Sequence, residues 1–138
     1  MEAVGLLEYD GEPFIVSVAV PKAGDLVLTI TDHERLSGVT YTLTDGKASL
    51  TYGSLSLPLD NAYAADGLFL CSRLFALSPD HFREARVVTE NGVTFSTMTF
   101  RTEEGDITVL TQRGLSRPDR ITADLNGHSL SFQFVNEP

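Results

Sequence analysis

The densest polar cluster in the chain is Asp32-His33-Glu34. Two carboxylates flanking an imidazole are the residue types of a divalent-metal site or of general acid–base chemistry. Their spacing argues against both. Adjacent residues on a loop cannot converge on one ion, and the other histidines, His81 and His128, stand without ligand-like spacing. The expected role of the cluster is a solvated connection between strands. Glu103-Glu104-Gly105-Asp106 gathers acids around a glycine but lacks the alternating carboxylates of a calcium loop, so it reads as an acidic hairpin tip. Gly53-Ser54-Leu55-Ser56-Leu57 lacks the second glycine of a nucleophile elbow and leads into a strand rather than a helix. The single cysteine, Cys71, lies in an apolar run with no histidine nearby, which suits a packed thiol better than a nucleophile. Arg113, Arg117 and Arg120 could dock an anion, but they also suit a solvated loop that balances local acids. The expectation is therefore no catalytic residue, no metal, no cofactor, and a protein that is not an enzyme.

Composition narrows the partners. The 138 residues suffice for a single domain with its own core, expected to span 1–138, and 42% of them are apolar. A formal charge of −9 repels phosphate backbones and argues against nucleic acid. No run reaches the roughly 18 apolar residues of a membrane-spanning helix.

The elements that must position any site are legible from turn chemistry. Asp10-Gly11, Asp45-Gly46, Asn91-Gly92 and Asn126-Gly127 each separate runs rich in Val, Thr, Ile, Leu and Phe. Such pairs accept the positive φ of two-residue hairpin turns, so they predict four tight hairpins and a mainly antiparallel sheet. The strands read as 4–9, 14–21, 25–31, 39–44, 47–52, 55–58, 86–90, 93–102, 106–112, 119–125 and 128–135. Most alternate. Leu26, Leu28 and Ile30 oppose Val27, Thr29 and Thr31, while Thr40, Thr42, Thr44, Ser49 and Thr51 build a hydroxyl-rich outer face. In 93–102, Phe95 and Phe100 fall on opposite faces, which calls for either a bulge or a strand spanning two environments.

Between the two strand blocks lies one apolar segment, Gly67–Leu77, with Asp66 as its expected N-cap. Leu68, Leu70, Cys71, Leu74, Phe75 and Leu77 make it apolar on most sides, so it should be buried on most sides. Ser78-Pro79 should cap a second short helix, Pro79–Ala85, with Phe82 pinning it to the core. The fold class is thus α+β, mainly antiparallel: an incomplete, half-open barrel of about eleven strands around one central apolar helix. Two readings of its interior follow. A sheet that does not quite close over its helix leaves an apolar cleft, with Leu28, Tyr41, Leu50, Phe69 and Phe132 as candidate lining. Alternatively side chains fill the interior, and the domain works through its outer face or edges on an envelope protein partner.

Two segments carry a resemblance: Gly114–Leu125, a turn feeding the penultimate strand, and Tyr52-Gly53-Ser54-Leu55-Ser56-Leu57-Pro58-Leu59 before the helix. With the order of elements, they make the chain resemble the LolA/LolB/LppX-like lipoprotein-carrier superfamily, and more closely its small uncharacterised Firmicutes lipoproteins. The first segment departs from the family's Gly-Leu-Pro turn, since Ser116 and Arg117 precede Pro118. The resemblance implies a non-enzymatic, exported domain on the outer face of the cell envelope, binding a lipid, acyl chain or apolar peptide. It also implies a membrane link through an N-terminal lipidated cysteine. Met1-Glu2-Ala3-Val4 has no signal character, so that anchor is expected upstream of Glu2, with a cytoplasmic protein as the alternative.

Overall fold

The computed structural model describes residues 1–59, 62–114 and 117–135. Its eleven strands are β1 (Glu2–Tyr9), β2 (Glu12–Ala19), β3 (Leu26–Asp32), β4 (Thr40–Thr44), β5 (Lys47–Tyr52), β6 (Leu55–Pro58), β7 (Phe82–Glu90), β8 (Val93–Arg101), β9 (Gly105–Gln112), β10 (Arg120–Leu125) and β11 (His128–Phe134). Every pairing is antiparallel, and the strands form one open sheet in the order β6-β5-β4-β3-β2-β1-β11-β10-β9-β8-β7. The first and last strands are neighbours in the middle, from Gly5↔Phe134 to Tyr9↔Leu130. Each half of the chain therefore meanders toward its own edge, and α1 (Ala62–Arg73) lies on the connection from edge β6 to edge β7.

The turns obey their dipeptides. Asp10, Asp45, Asn91 and Asn126 have φ near +50°, each followed by a glycine at φ +79° to +86°. This is the doubly positive turn whose twist matches the flanking strands. Directly paired residues share a face, so Leu28 with Val18 and Tyr41, and Ile121 with Val109 and Phe132, place one apolar surface across the sheet. That surface and Leu68, Leu70, Cys71 and Leu74 form one core. Hydroxyls pair on the opposite face, as between Thr29 and Thr40 (3.1 Å) and between Thr99 and Thr108 (3.3 Å).

Several expectations need correction. The helix starts at Ala62, five residues before Gly67, because alanines at 62, 64 and 65 favour helix, so Asp66 lies inside it rather than capping it. Residues 60 and 61, where a cap would sit, fall outside the described residues. At twelve residues α1 is about 18 Å long. It ends at Arg73 because the hydrogen bonds tighten: Leu74, Phe75 and Ala76 donate to Cys71, Ser72 and Arg73, three residues back. Ser78 does cap the next turn, accepting from Asp80 N at 3.3 Å, but that turn is only the 3-10 segment Pro79–His81. Phe82–Ala85 is strand instead, since pairing with β8 satisfies more backbone than a lone helical turn would. Phe82 is not pinned inside; it is 46% exposed and meets Phe100 edge-on. Between Phe95 and Phe100, β8 pairs with β9 in unbroken register, so the strand spans two environments and the irregularity falls in β7, between Phe82 and Glu84.

Candidate functional site

The sheet does not seal against the helix. A cavity of about 180 Å³ opens to solvent between α1 and strands β1 to β4. Leu7 and Tyr9 of β1, Phe14 of β2, Leu28 and Ile30 of β3 and Tyr41 of β4 supply its sheet wall. Gly67, Leu68 and Cys71 supply the helix wall, and Leu36 comes from the β3–β4 loop. Alternation dictates the sheet side: inward residues recur every second position, and paired strands bring Leu7 beside Phe14 and Leu28 beside Tyr41. On the helix, Gly67 and Cys71 are one turn apart and so share a face. A Cβ at Gly67 would sit 3.5 Å from the Tyr9 hydroxyl, an ordinary contact, so the Tyr9 ring lies over this turn of the helix.

Oily walls with a few hydroxyls set the electrostatics. Burial pushes the Cys71 thiol up to about 12, and burial likewise raises the Tyr41 phenol above its ordinary value. Both are neutral in neutral solution. Ser72, buried beside them, donates to Phe69 O at 2.6 Å and leaves no orphan hydroxyl. Two histidine–carboxylate pairs flank the β1–β2 turn. His128 Nδ1 donates to Asp10 Oδ2 at 2.7 Å, and its ring stacks on Tyr9 with centroids 5.4 Å apart. That bond, then one from the Ser129 backbone, holds the Asp10 carboxyl below the usual range. His33 Nε2 lies 2.9 Å from Glu12 Oε1, and its ring stacks on Phe14 at 4.6 Å.

Of the five lining candidates, Leu28 and Tyr41 border the cavity; Leu50, Phe69 and Phe132 do not. Leu50 pairs with Tyr41 but stands one strand farther toward the β6 edge. Phe69 points away, 37% exposed, with the Arg73 guanidinium 4.7 Å above its ring. Phe132 is fully buried in solid core, edge-on to Phe75 and Phe134. Sequence reading missed Leu36, whose loop has no periodicity, and Gly67, which has no side chain to register as apolar lining.

Several of the remaining charged residues are paired, while Arg113 and Arg117 are exposed. Arg101 donates to Asp106 at 2.9 Å, Arg73 Nε is ion-paired with Glu104 at 2.9 Å, and Arg120 donates to Glu90 at 3.1 Å. Gly53 occupies the β5–β6 turn at φ +61°, and His81 is exposed. Residues 115 and 116, within the segment that supports the resemblance, lie outside the described residues. Among the described residues no three His, Cys, Asp or Glu side chains gather as metal ligands, and no helix is long and apolar enough to cross a membrane.

No protein-family model matches the sequence, and no curated protein does. Solved structures are similar to it in shape. The lipoprotein LppX of Mycobacterium tuberculosis superposes with a TM-score of 0.51 at 15% identity, over 99% of this chain and 87% of that one. A LolA superfamily protein from Nitrosomonas europaea gives 0.48 at 9% identity, over 98% and 83%. The likeness to LppX shows that this chain has the LolA/LolB/LppX-like fold, here an open antiparallel sheet of eleven strands with its helix on the edge-to-edge connection.

Proposed function

We propose that this chain is a non-enzymatic binding domain of carrier type, exported to the cell envelope and lipid-anchored there, that takes an apolar group into the cavity between β1–β4 and α1. The single observation that supports this reading is the cavity itself, in the fold of a lipoprotein. Leu28 and Tyr41 are its proposed ligand contacts, joined by Leu7, Phe14, Leu36 and Leu68. Its size limits the guest. An apolar cavity of about 150 Å³ accommodates a benzene ring, and drug-sized ligands use about 300 Å³ or more. About 180 Å³ therefore suits the end of one acyl chain or one apolar peptide side chain, with the rest of the ligand outside.

Titration of the purified, delipidated protein with 11-(dansylamino)undecanoic acid tests the reading. The expected result is saturable binding, weakened about tenfold or more, equivalent to ~1.4 kcal/mol, by the cavity-filling substitution Leu28→Trp. Absence of saturable binding by a folded protein would overturn it.

A further inference from the structure

We propose that His33 is a pH-responsive positioning residue: with Nδ1 unprotonated it holds Leu36 against the cavity, and protonation releases the loop that carries Leu36. The proposal rests on the cavity being the binding site. Among the described lining residues Leu36 alone lies outside strand and helix, so it is the wall that can move without breaking the sheet.

The β3–β4 loop is tied at two levels. Its base continues the ladder, with Ile30 N donating to Val39 O at 2.9 Å and Gly38 N to Ile30 O at 2.7 Å. Its tip is organised around His33. Arg35 N and Leu36 N donate to Nδ1 at 3.1 and 3.2 Å. The His33 main chain also exchanges bonds with the Ser37 hydroxyl, at 2.9 and 2.7 Å, and Val39 N donates to Leu36 O at 3.1 Å. A nitrogen that accepts two N–H groups carries its lone pair, so the proton of the neutral ring is on Nε2 and is donated to Glu12.

Adding a proton to Nδ1 sets a third N–H against the Arg35 and Leu36 amides and abolishes both bonds. The ring itself does not leave. Glu12 on β2 binds the imidazolium through Nε2, and Phe14 continues to cover the ring face. The charged residues next to it in sequence, Asp32, Glu34 and Arg35, are exposed and belong to the loop or its root. The loop tip therefore separates from a fixed ring, Leu36 leaves the cavity, and one proton is taken up per opening. His128 provides the contrast: its Nδ1 already donates to Asp10, and no backbone amide of the β3–β4 loop depends on it.

His33→Asn isolates the effect. An asparagine oxygen accepts from backbone amides two and three residues on, as Nδ1 does here, yet takes up no proton in this range. Leu36 amide exchange, corrected for intrinsic rates, and dansyl-undecanoate dissociation are followed from about pH 7.5 to about pH 5, the interval in which histidine titrates. In the wild type, Leu36 protection should fall and probe dissociation should rise, each about tenfold for one linked proton over one pH unit. H33N should show neither change, and H128N should behave as wild type. Protection that is flat with pH in the wild type, or that still falls in H33N, overturns the proposal. Should H33N not fold, nitrogen-15 shifts of the His33 ring decide it, because loss of Leu36 protection must share the ring's midpoint. If protection responds as expected and no probe binds at either pH, the latch stands and the cavity reading fails.

Discussion

Cys71 shows how one residue reports on the interior. Its thiol is 6% exposed and lines the cavity, and burial moves it up to about 12. At pH 8 its thiolate fraction is orders of magnitude below the roughly one in ten of a cysteine that titrates at 9.0. Ellman's reagent should leave native Cys71 unmodified for hours at that pH and react at once in denaturant. A bound ligand should slow the native reaction further, and rapid native labelling would contradict the burial. The linkage has a definite sign. Because the folded thiol holds its proton up to about 12, above the 9.0 of an open chain, its contribution to stability is complete below pH 9 and is lost as pH rises toward 12. Gly5 is the complementary case, a position where nothing can be added. A Cβ there would collide with the Gln133 carbonyl and the Phe132 ring, neither of which can yield in the sheet centre. Gly5→Ala should cost about 1–3 kcal/mol by urea unfolding. At this scale the sequence was only partly legible. Alternation aimed Leu28 and Tyr41 inward, but whether an inward residue meets the cavity, as they do, or solid core, as Phe132 does, depends on where the helix lies.

Strands were the most legible elements, because two-residue turns name themselves. All eleven lie where alternation and Asp-Gly or Asn-Gly pairs put them, apart from shifts at their ends and the N-terminal extension of β7. The turns are correspondingly sensitive. Gly92 has φ +80° and open space around its Cβ, so Gly92→Ala should lose about 1 kcal/mol from backbone strain alone. Chemical denaturation should show the loss without a change in m-value, and no steric term should add to it. The helical segment was less legible. Leu68, Leu70, Cys71 and Leu74 are buried, but Phe69 is exposed, and Phe75 and Leu77 are only half-buried beyond the helix end. The start precedes the apolar run, since propensity extends a helix beyond the face that packs. The 3-10 turn at Pro79–His81 fell short of a helix for a tertiary reason: β8 supplies a pairing partner to the residues that follow.

In the whole molecule, β1·β11 pairing joins the two meanders, and α1, the only α-helix among the described residues, lies on the connection between edges. Arg73, in the last turn of that helix, reaches Glu104 in the β8–β9 turn, 33% and 11% exposed respectively. This pair ties the helix to the C-terminal half while Leu68 and Cys71 face β1–β4. Arg73→Ala should cost about 1–3 kcal/mol, as for a partly buried charge pair that also loses its stacking on Phe69. A double-mutant cycle with Glu104→Ala should return a coupling of about 0.5 kcal/mol or more. A coupling of zero would mean that the halves are held by apolar packing alone. Sequence by itself determined the strands, their turns and the inward face, because each follows from local backbone chemistry or from a period of two; of the helix it determined the presence but not the bounds. Only the tertiary structure decided that the sheet stops short of sealing, leaving about 180 Å³ beside Gly67 and Cys71, and that His33 organises the loop beside it. Both are set by sheet curvature and by contacts between distant segments, and no local pattern encodes the distance between a helix and the sheet it covers.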